Sequence, residues 1–135
     1  MPLIQWDDSL RVNIAEIDAQ HRKLVGMINE LNEAMRMGKG KEILGKTVQG
    51  LIEYTQTHFQ TEEKYFEKFG YPENAPHKRE HAAFTAKVSQ FKSAFDAGRA
   101  ALSVEVMAFL SDWLQKHIKG SDKKYGSFLN KKGVK

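Results

Sequence analysis

Apolar residues recur along this chain in alternating steps of three and four over four long stretches, the period of helices that each turn one face to a shared core. Ile17, His21, Leu24, Ile28, Leu31 and Met35 form the first seam, which breaks at Gly38-Lys39-Gly40. The second runs from about Lys41 to Phe69 through Leu44, Val48, Leu51, Thr55, His58, Glu62, Tyr65 and Phe69, and is stopped by Gly70 and Pro72. A third opens at Asn74-Ala75-Pro76, with Asn74 as the expected N-cap and Pro76 in the first turn, where a missing N–H leaves no bond unmade. Its inward positions are His77, His81, Phe84, Val88, Phe91 and Phe95, and Asp96-Ala97-Gly98 closes it. The fourth begins at Ser103 and points Val106, Leu110, Trp113 and His117 inward, with Leu114 flanking them.

Gly120 and Gly126 predict that helical regularity fails near residue 120, after which Tyr125, Phe128 and Leu129 fold a short tail back onto the body. Residues 1–16 carry no sustained period and read as an extended arm with Ile4, Trp6, Leu10, Val12 and Ile14 as packing points. Short connections between helices make sequence neighbours antiparallel. The expected fold is therefore all-α, an up-down-up-down antiparallel four-helix bundle in a single domain, with the arm at 1–16, the bundle at about 17–119 and the tail at 120–135.

The seams are apolar except at a few positions, and those positions carry the chemistry. All five histidines lie on them: His21, His58, His77, His81 and His117. A single inward histidine is usually an ordinary core residue, but five together are accompanied by Glu62, four residues after His58, and Asp122, five after His117. On an α-helix His58 and Glu62 stand one above the other, and so do His77 and His81, a spacing that lets two side chains grip one metal ion. A buried, unpaired carboxylate costs several kcal/mol or takes up a proton, so Glu62 requires a cation. Five imidazoles and two carboxylates exceed what one ion needs and suit two six-coordinate-sized ions with shared carboxylates, a solvent-derived bridge and one open position. Zinc favours four ligands, and magnesium and calcium avoid imidazole. Iron is the expected metal, with manganese or a mixed pair left open by donor type.

Composition narrows the setting. With 135 residues, 41% hydrophobic and 28% charged, the chain reads as one soluble globular domain with enough core to fold unaided. No apolar run approaches the ~20 residues a membrane span needs, so membrane insertion is not expected. The segment Met1-Pro2-Leu3-Ile4-Gln5-Trp6 has no basic or apolar leader pattern, which makes a cytoplasmic protein the expectation. The absence of cysteine removes disulfides, thiolate zinc sites and cysteine-held iron-sulfur clusters. The net charge of +4 is concentrated toward the C-terminus, at Lys116, Lys119, Lys123, Lys124, Lys131, Lys132 and Lys135. Without a recognisable motif around them these lysines read as a solvated face, open to an acidic protein surface but not to nucleic acid.

The set His21, His58-x-x-x-Glu62, His77-x-x-x-His81 and His117-x-x-x-x-Asp122 resembles the ligand pattern of the hemerythrin family over roughly residues 13–125. Ile17-Asp18-Ala19-Gln20-His21 and Trp113-Leu114-Gln115-Lys116-His117-Ile118 are also similar to family signatures, and the distance from His81 to His117 is similar to that of the single-domain bacteriohemerythrins. The resemblance implies a non-haem di-iron centre that binds O₂ reversibly. It implies that His77, His81 and His117 hold the coordinatively full iron and that His21 and His58 hold the iron with the open position. Glu62, Asp122 and an oxo or hydroxo group would bridge the two. Leu114 resembles the apolar residue lining the O₂ pocket, its other reading being ordinary core. Glu63 is read as facing solvent, with a hydrogen bond to a ligand imidazole as the alternative.

Oxygen storage, delivery or sensing is the expected function, in a monomer, with an O₂-consuming enzyme as a conceivable recipient. Neutral imidazoles leave such a centre less negative than a carboxylate-rich di-iron enzyme, which weakens the drive toward high-valent oxidising iron. The alternatives are a di-iron oxidase, peroxidase or nitric-oxide-handling enzyme, an iron storage or sensing module, and a metal-free bundle used for protein contacts.

Overall fold

The computed structural model describes residues 4–98 and 102–135. Within it the helices are α1 (Ala15–Arg36), α2 (Gly40–Phe69), α3 (Asn74–Asp96) and α4 (Leu102–Lys116). A π-helical segment, His117–Asp122, then leads without a break into α5 (Lys123–Lys131). α1 packs on α2 and α4, and α3 packs on α2 and α4, which closes the ring of an antiparallel four-helix bundle. None of these helices is long and apolar enough to cross a membrane.

The helix ends follow local chemistry. α2 stops at Gly70, whose φ of 66° is the left-handed conformation that glycine adopts without a Cβ penalty. The N–H of Tyr71 then donates to the Phe66 carbonyl at 3.0 Å, and the two rings meet at 5.0 Å between centroids, the apolar contact that commonly accompanies this cap. Asn74 is not the cap of α3: Glu73 takes that place and Asn74 is already helical, because the N–H of Asn74 is drawn into the preceding turn by the Tyr71 carbonyl.

The seams bury much as their spacing predicts, with two shifts. On α2 the fully buried aromatic is Phe66, not Tyr65, and Phe69 is only half-buried. The step of four from Glu62 wins there because 3.6 residues per turn drift away from a strict alternation. On α4, Leu114 is buried and Trp113 is half-buried, so the leucine takes the seam.

The larger difference is at the C-terminal end. Regularity does fail near residue 120, but as one wide turn inside a continuing helix, not as the end of it. α5 turns Tyr125 and Leu129, both fully buried, onto Val12, Ile14, Ile17, Phe66 and Tyr71, while Phe128 packs at their margin. The segment read as a tail thus closes one end of the bundle. The arm closes it too. Met1, Pro2 and Leu3 lie outside the described residues, and from Ile4 onward the arm is tied down by side chains. Asn29 bonds both backbone groups of Ile4, at 2.9 and 2.8 Å, Asp18 accepts the Val12 N–H at 2.8 Å, and Asn130 donates to the Asn13 carbonyl at 3.1 Å. Asp8–Leu10 form a short 3₁₀ turn within it.

Arm and α5 meet at Gly126, where an added Cβ would stand 2.8 Å from the Val12 carbonyl oxygen. Elsewhere in a helix Gly→Ala stabilises by roughly 1 kcal/mol. Here the sign reverses, and Gly126→Ala is expected to lower stability by about 1–3 kcal/mol, as overpacking does. Thermal unfolding checks this: a variant as stable as the parent would mean that the arm does not sit on α5 as described.

Candidate metal centre

The apolar core is split into two clusters, and the chain passes from one to the other across polar inward residues four times. His21 lies between Ile17 and Leu24, Glu62 between Phe59 and Phe66, His77 and His81 between Tyr71 and Phe84, and Asp122 between Ile118 and Tyr125. These side chains therefore share one layer. All seven of the sequence-selected donors are buried, and Glu62 and Asp122 have no exposed surface.

Asp122 reaches the layer only because of the π segment. Five residues on an α-helix turn about 500°, which leaves the second side chain about 140° away from the first. The wider turn between His117 and Asp122 restores the alignment, and His117 Nε2 lies 3.0 Å from Asp122 Oδ1.

The donors form two groups that share Glu62. One is Glu62, His77, His81, His117 and Asp122, and the other is His21, His58 and Glu62. Glu62 Oε1 is 3.1 Å from His81 Nε2 and 3.3 Å from His58 Nε2, and its Oε2 is 3.9 Å from His21 Nε2. Asp122 likewise spans both groups: Oδ1 is 3.0 Å from the Nε2 atoms of His77 and His117, and Oδ2 is 3.1 Å from that of His21.

Apart from the 3.9 Å approach to His21, those distances are short enough for hydrogen bonds, yet both oxygens of Glu62, both of Asp122 and the Nε2 atoms of His21, His77, His81 and His117 are buried with no hydrogen-bond partner. The outward ring nitrogens explain why. His58 Nδ1 donates to Gln20 Oε1 at 2.6 Å, His81 Nδ1 to Glu63 Oε2 at 3.3 Å and His117 Nδ1 to Glu80 Oε1 at 3.2 Å. With its proton held outside, each of these imidazoles turns a lone pair inward, toward carboxylate oxygens that also carry lone pairs. Positive charge among them, as protons on the imidazoles or as metal ions, satisfies that arrangement, and so many converging nitrogen and oxygen atoms fit a metal centre.

The electrostatics agree. Burial opposes charge on Asp122, but the His117 charge and the close approach of the His117, His21 and His77 ring nitrogens outweigh it and hold the carboxyl well below its usual range. Burial and the Asp122 charge both work against ionised Glu62, and His58, His81 and His21 overcome them. Burial pushes His58 down to about 4, so it is neutral at neutral pH and ready to ligate. Burial also acts on His117, but Asp122, Glu62 and Glu80 pull it up to about 9, so a metal arriving there displaces a proton.

The family model of the hemerythrin HHE cation binding domain matches residues 12–129. The chain belongs to the hemerythrin family. A bacteriohemerythrin of Stenotrophomonas maltophilia is 38% identical over 125 residues, covering 93% of this chain and 80% of the relative. A bacteriohemerythrin of Methylococcus capsulatus is 34% identical over 131 residues, covering 96% and 99%. The crystal structure of wild-type hemerythrin is similar at a TM-score of 0.83 and 32% identity, over 93% of this chain and 96% of that one. In this hemerythrin-family bundle the His, Glu and Asp cluster suits a di-iron site.

Several residues that shape the centre had no signal of their own in the sequence. Glu80, on α3, accepts from His117 and also from Ser121 Oγ at 2.7 and 2.8 Å, a bond that pins the π segment to α3. Its spacing, one residue before His81, is the only clue, and it reads equally as a solvated glutamate. Gln20 was part of a quoted signature but without a role. Glu63 does not simply face solvent: it is half-buried and bonded to His81, which is the reading the sequence ranked second. Phe59 stacks on His81 at 3.8 Å and 5°, and Trp113 on His117 at 4.3 Å and 14°, fixing both ring planes.

Leu114 borders a narrow cavity of about 10 Å³ with Leu24, Ile28, Leu110, His21 and His58, close to the room one water-sized molecule needs. His117 and Asp122 also reach it.

Proposed function

We propose that this chain binds O₂ reversibly at a di-iron centre held by His21, His58, Glu62, His77, His81, His117 and Asp122. The observation that carries the reading is the unequal division of the donors: three histidines gather with Glu62 and Asp122, two more with Glu62, and the small apolar cavity is lined by both of the two but by only His117 of the three. A metal held by His21 and His58 would have fewer protein ligands than one held by His77, His81 and His117, and the cavity beside those two histidines would offer room for a diatomic molecule. The bound metals supply reversible electron transfer to that molecule.

The rest belongs to the chain. Gln20, Glu63 and Glu80 hold ligand protons on the outward nitrogens, so the inward ones stay free. Leu24, Ile28, Leu110 and Leu114 keep water out of the cavity. Its volume leaves no place for an organic substrate, which favours gas binding over oxidation of a larger molecule. Oxygen delivery or storage in a monomeric, cytoplasmic protein is the setting we propose; His77, His81 and His117 would hold one iron, His21 and His58 the other, and Glu62 and Asp122 would serve both.

Two irons per chain are expected after anaerobic loading with excess ferrous iron, followed by a new near-ultraviolet and visible absorption on adding O₂ that disappears when O₂ is removed. Elemental analysis and spectra of one sample decide it. One metal or none per chain removes the di-iron reading, and an absorption change that never reverses removes oxygen carriage. Repeating the titration with nitric oxide distinguishes a general diatomic site from an O₂ carrier.

A further inference from the structure

We propose that the two halves of the centre fill in order, the three-histidine half first, and that Glu63 and Glu80 are the positioning residues that impose the order. The inference rests on the ligand set proposed above and adds to it a difference between its halves. In the three-histidine half, two of the imidazoles are backed by carboxylates: His81 by Glu63 at 3.3 Å and His117 by Glu80 at 3.2 Å. In the other half, His58 is backed by the neutral amide of Gln20 at 2.6 Å, and the outward nitrogen of His21 is buried with no partner.

A carboxylate behind an imidazole draws the N–H proton outward and makes the opposite nitrogen a stronger donor, whereas an amide does so weakly and an absent partner not at all. Loss of such a partner typically costs roughly 10–100-fold in metal affinity. With two carboxylates on one side and none on the other, the difference between halves should reach that range. Pre-orientation acts in the same direction. Ser121 bonds both oxygens of Glu80, and aromatic rings lie flat on His81 and His117, so these imidazoles need no reordering when a metal arrives. His21 and His58 meet only edge to face, at 4.8 Å and 69°. Glu63 and Glu80 reach no donor point inside the layer themselves, so they act through the histidines.

The test is an anaerobic titration of the metal-free chain with cobalt(II), followed by electron paramagnetic resonance. An isolated high-spin ion gives a signal, and two ions bridged by shared carboxylates couple and lose it. In the parent, the isolated-ion signal should grow up to one equivalent and fall toward the second. Glu63→Gln and Glu80→Gln keep size and remove charge; each should weaken the first binding step by roughly 10–100-fold, and the double variant should merge the two steps so that the isolated-ion signal no longer accumulates. Gln20→Ala should weaken only the second step. Circular dichroism of each metal-free variant checks folding, and Glu80→Asp, which retains charge, should restore part of the first step. A parent that takes both ions together, single glutamine variants with an unchanged first step, or a double variant that still fills in two separate steps, overturns the proposal. Binding of fewer than two cobalt ions per parent chain overturns the ligand set itself, a separate result.

Discussion

Glu62→Ala is expected to leave a chain that cannot hold two irons, while Glu63→Ala keeps most of its metal. The two glutamates are adjacent, but about 100° of helical rotation separates them. Glu62 is fully buried and presents one oxygen to His58 and His81 and the other toward His21, so it touches donors of both halves. On the proposed ligand set, removing it would take away a donor to each ion and the negative charge that makes two cations in one low-dielectric layer tolerable. Glu63 is half-buried and touches the centre only through the outward nitrogen of His81. Its removal weakens one ligand, an effect of roughly 10–100-fold that excess iron masks. Because alanine at position 62 also opens a cavity, Glu62→Gln serves as the companion variant, keeping volume and losing charge. The measurement is iron per chain after anaerobic loading and desalting. Equal retention in the position 62 and position 63 variants would show that Glu62 is not a shared ligand.

Leu114→Ala is expected to load two irons and take up O₂, but to oxidise irreversibly about tenfold faster, a change of about 1.4 kcal/mol in the barrier. Water at the site would promote irreversible oxidation, because it delivers protons and solvates departing anions. Leu114, with the other aliphatic side chains around the cavity, denies both by excluding water and keeping the local dielectric low. Truncation to alanine admits water where the space had been limited to one small molecule. A buried leucine also contributes to the core, so a stability loss of about 2–5 kcal/mol accompanies the change and has to be measured alongside it. Stopped-flow mixing with O₂ gives uptake, and the slow spectral decay that follows gives oxidation. An unchanged decay in a folded, fully loaded variant would reduce Leu114 to an ordinary core residue.

The alternation of three and four was enough to place the five histidines and Glu62 on inward faces, because on an α-helix spacing alone determines which side chains share a face. It also gave the four-helix body, since short connections leave antiparallel packing as the economical arrangement. Where only one turn of helix was in question, small local competitions decided what spacing could not. The Tyr71 carbonyl drew Asn74 into the helix, and accumulated drift buried Phe66 in place of Tyr65.

The sequence by itself picked out the candidate donors and put the five histidines and Glu62 on inward helical faces, because residue type and helical period are local properties. It did not determine how Asp122 enters the layer, since five residues on a regular helix point away and the π turn exists only where α4, α3 and the Glu80–Ser121 bonds meet. Nor did it show that residues 123–131 continue as a helix that caps the bundle, because Gly126 signals a break in isolation and a close approach only when Val12 lies against it. Gln20, Glu63 and Glu80 are ordinary polar residues along the chain. Their pairing with His58, His81 and His117 spans 38, 18 and 37 residues, and a partner at that distance is chosen by how the helices pack.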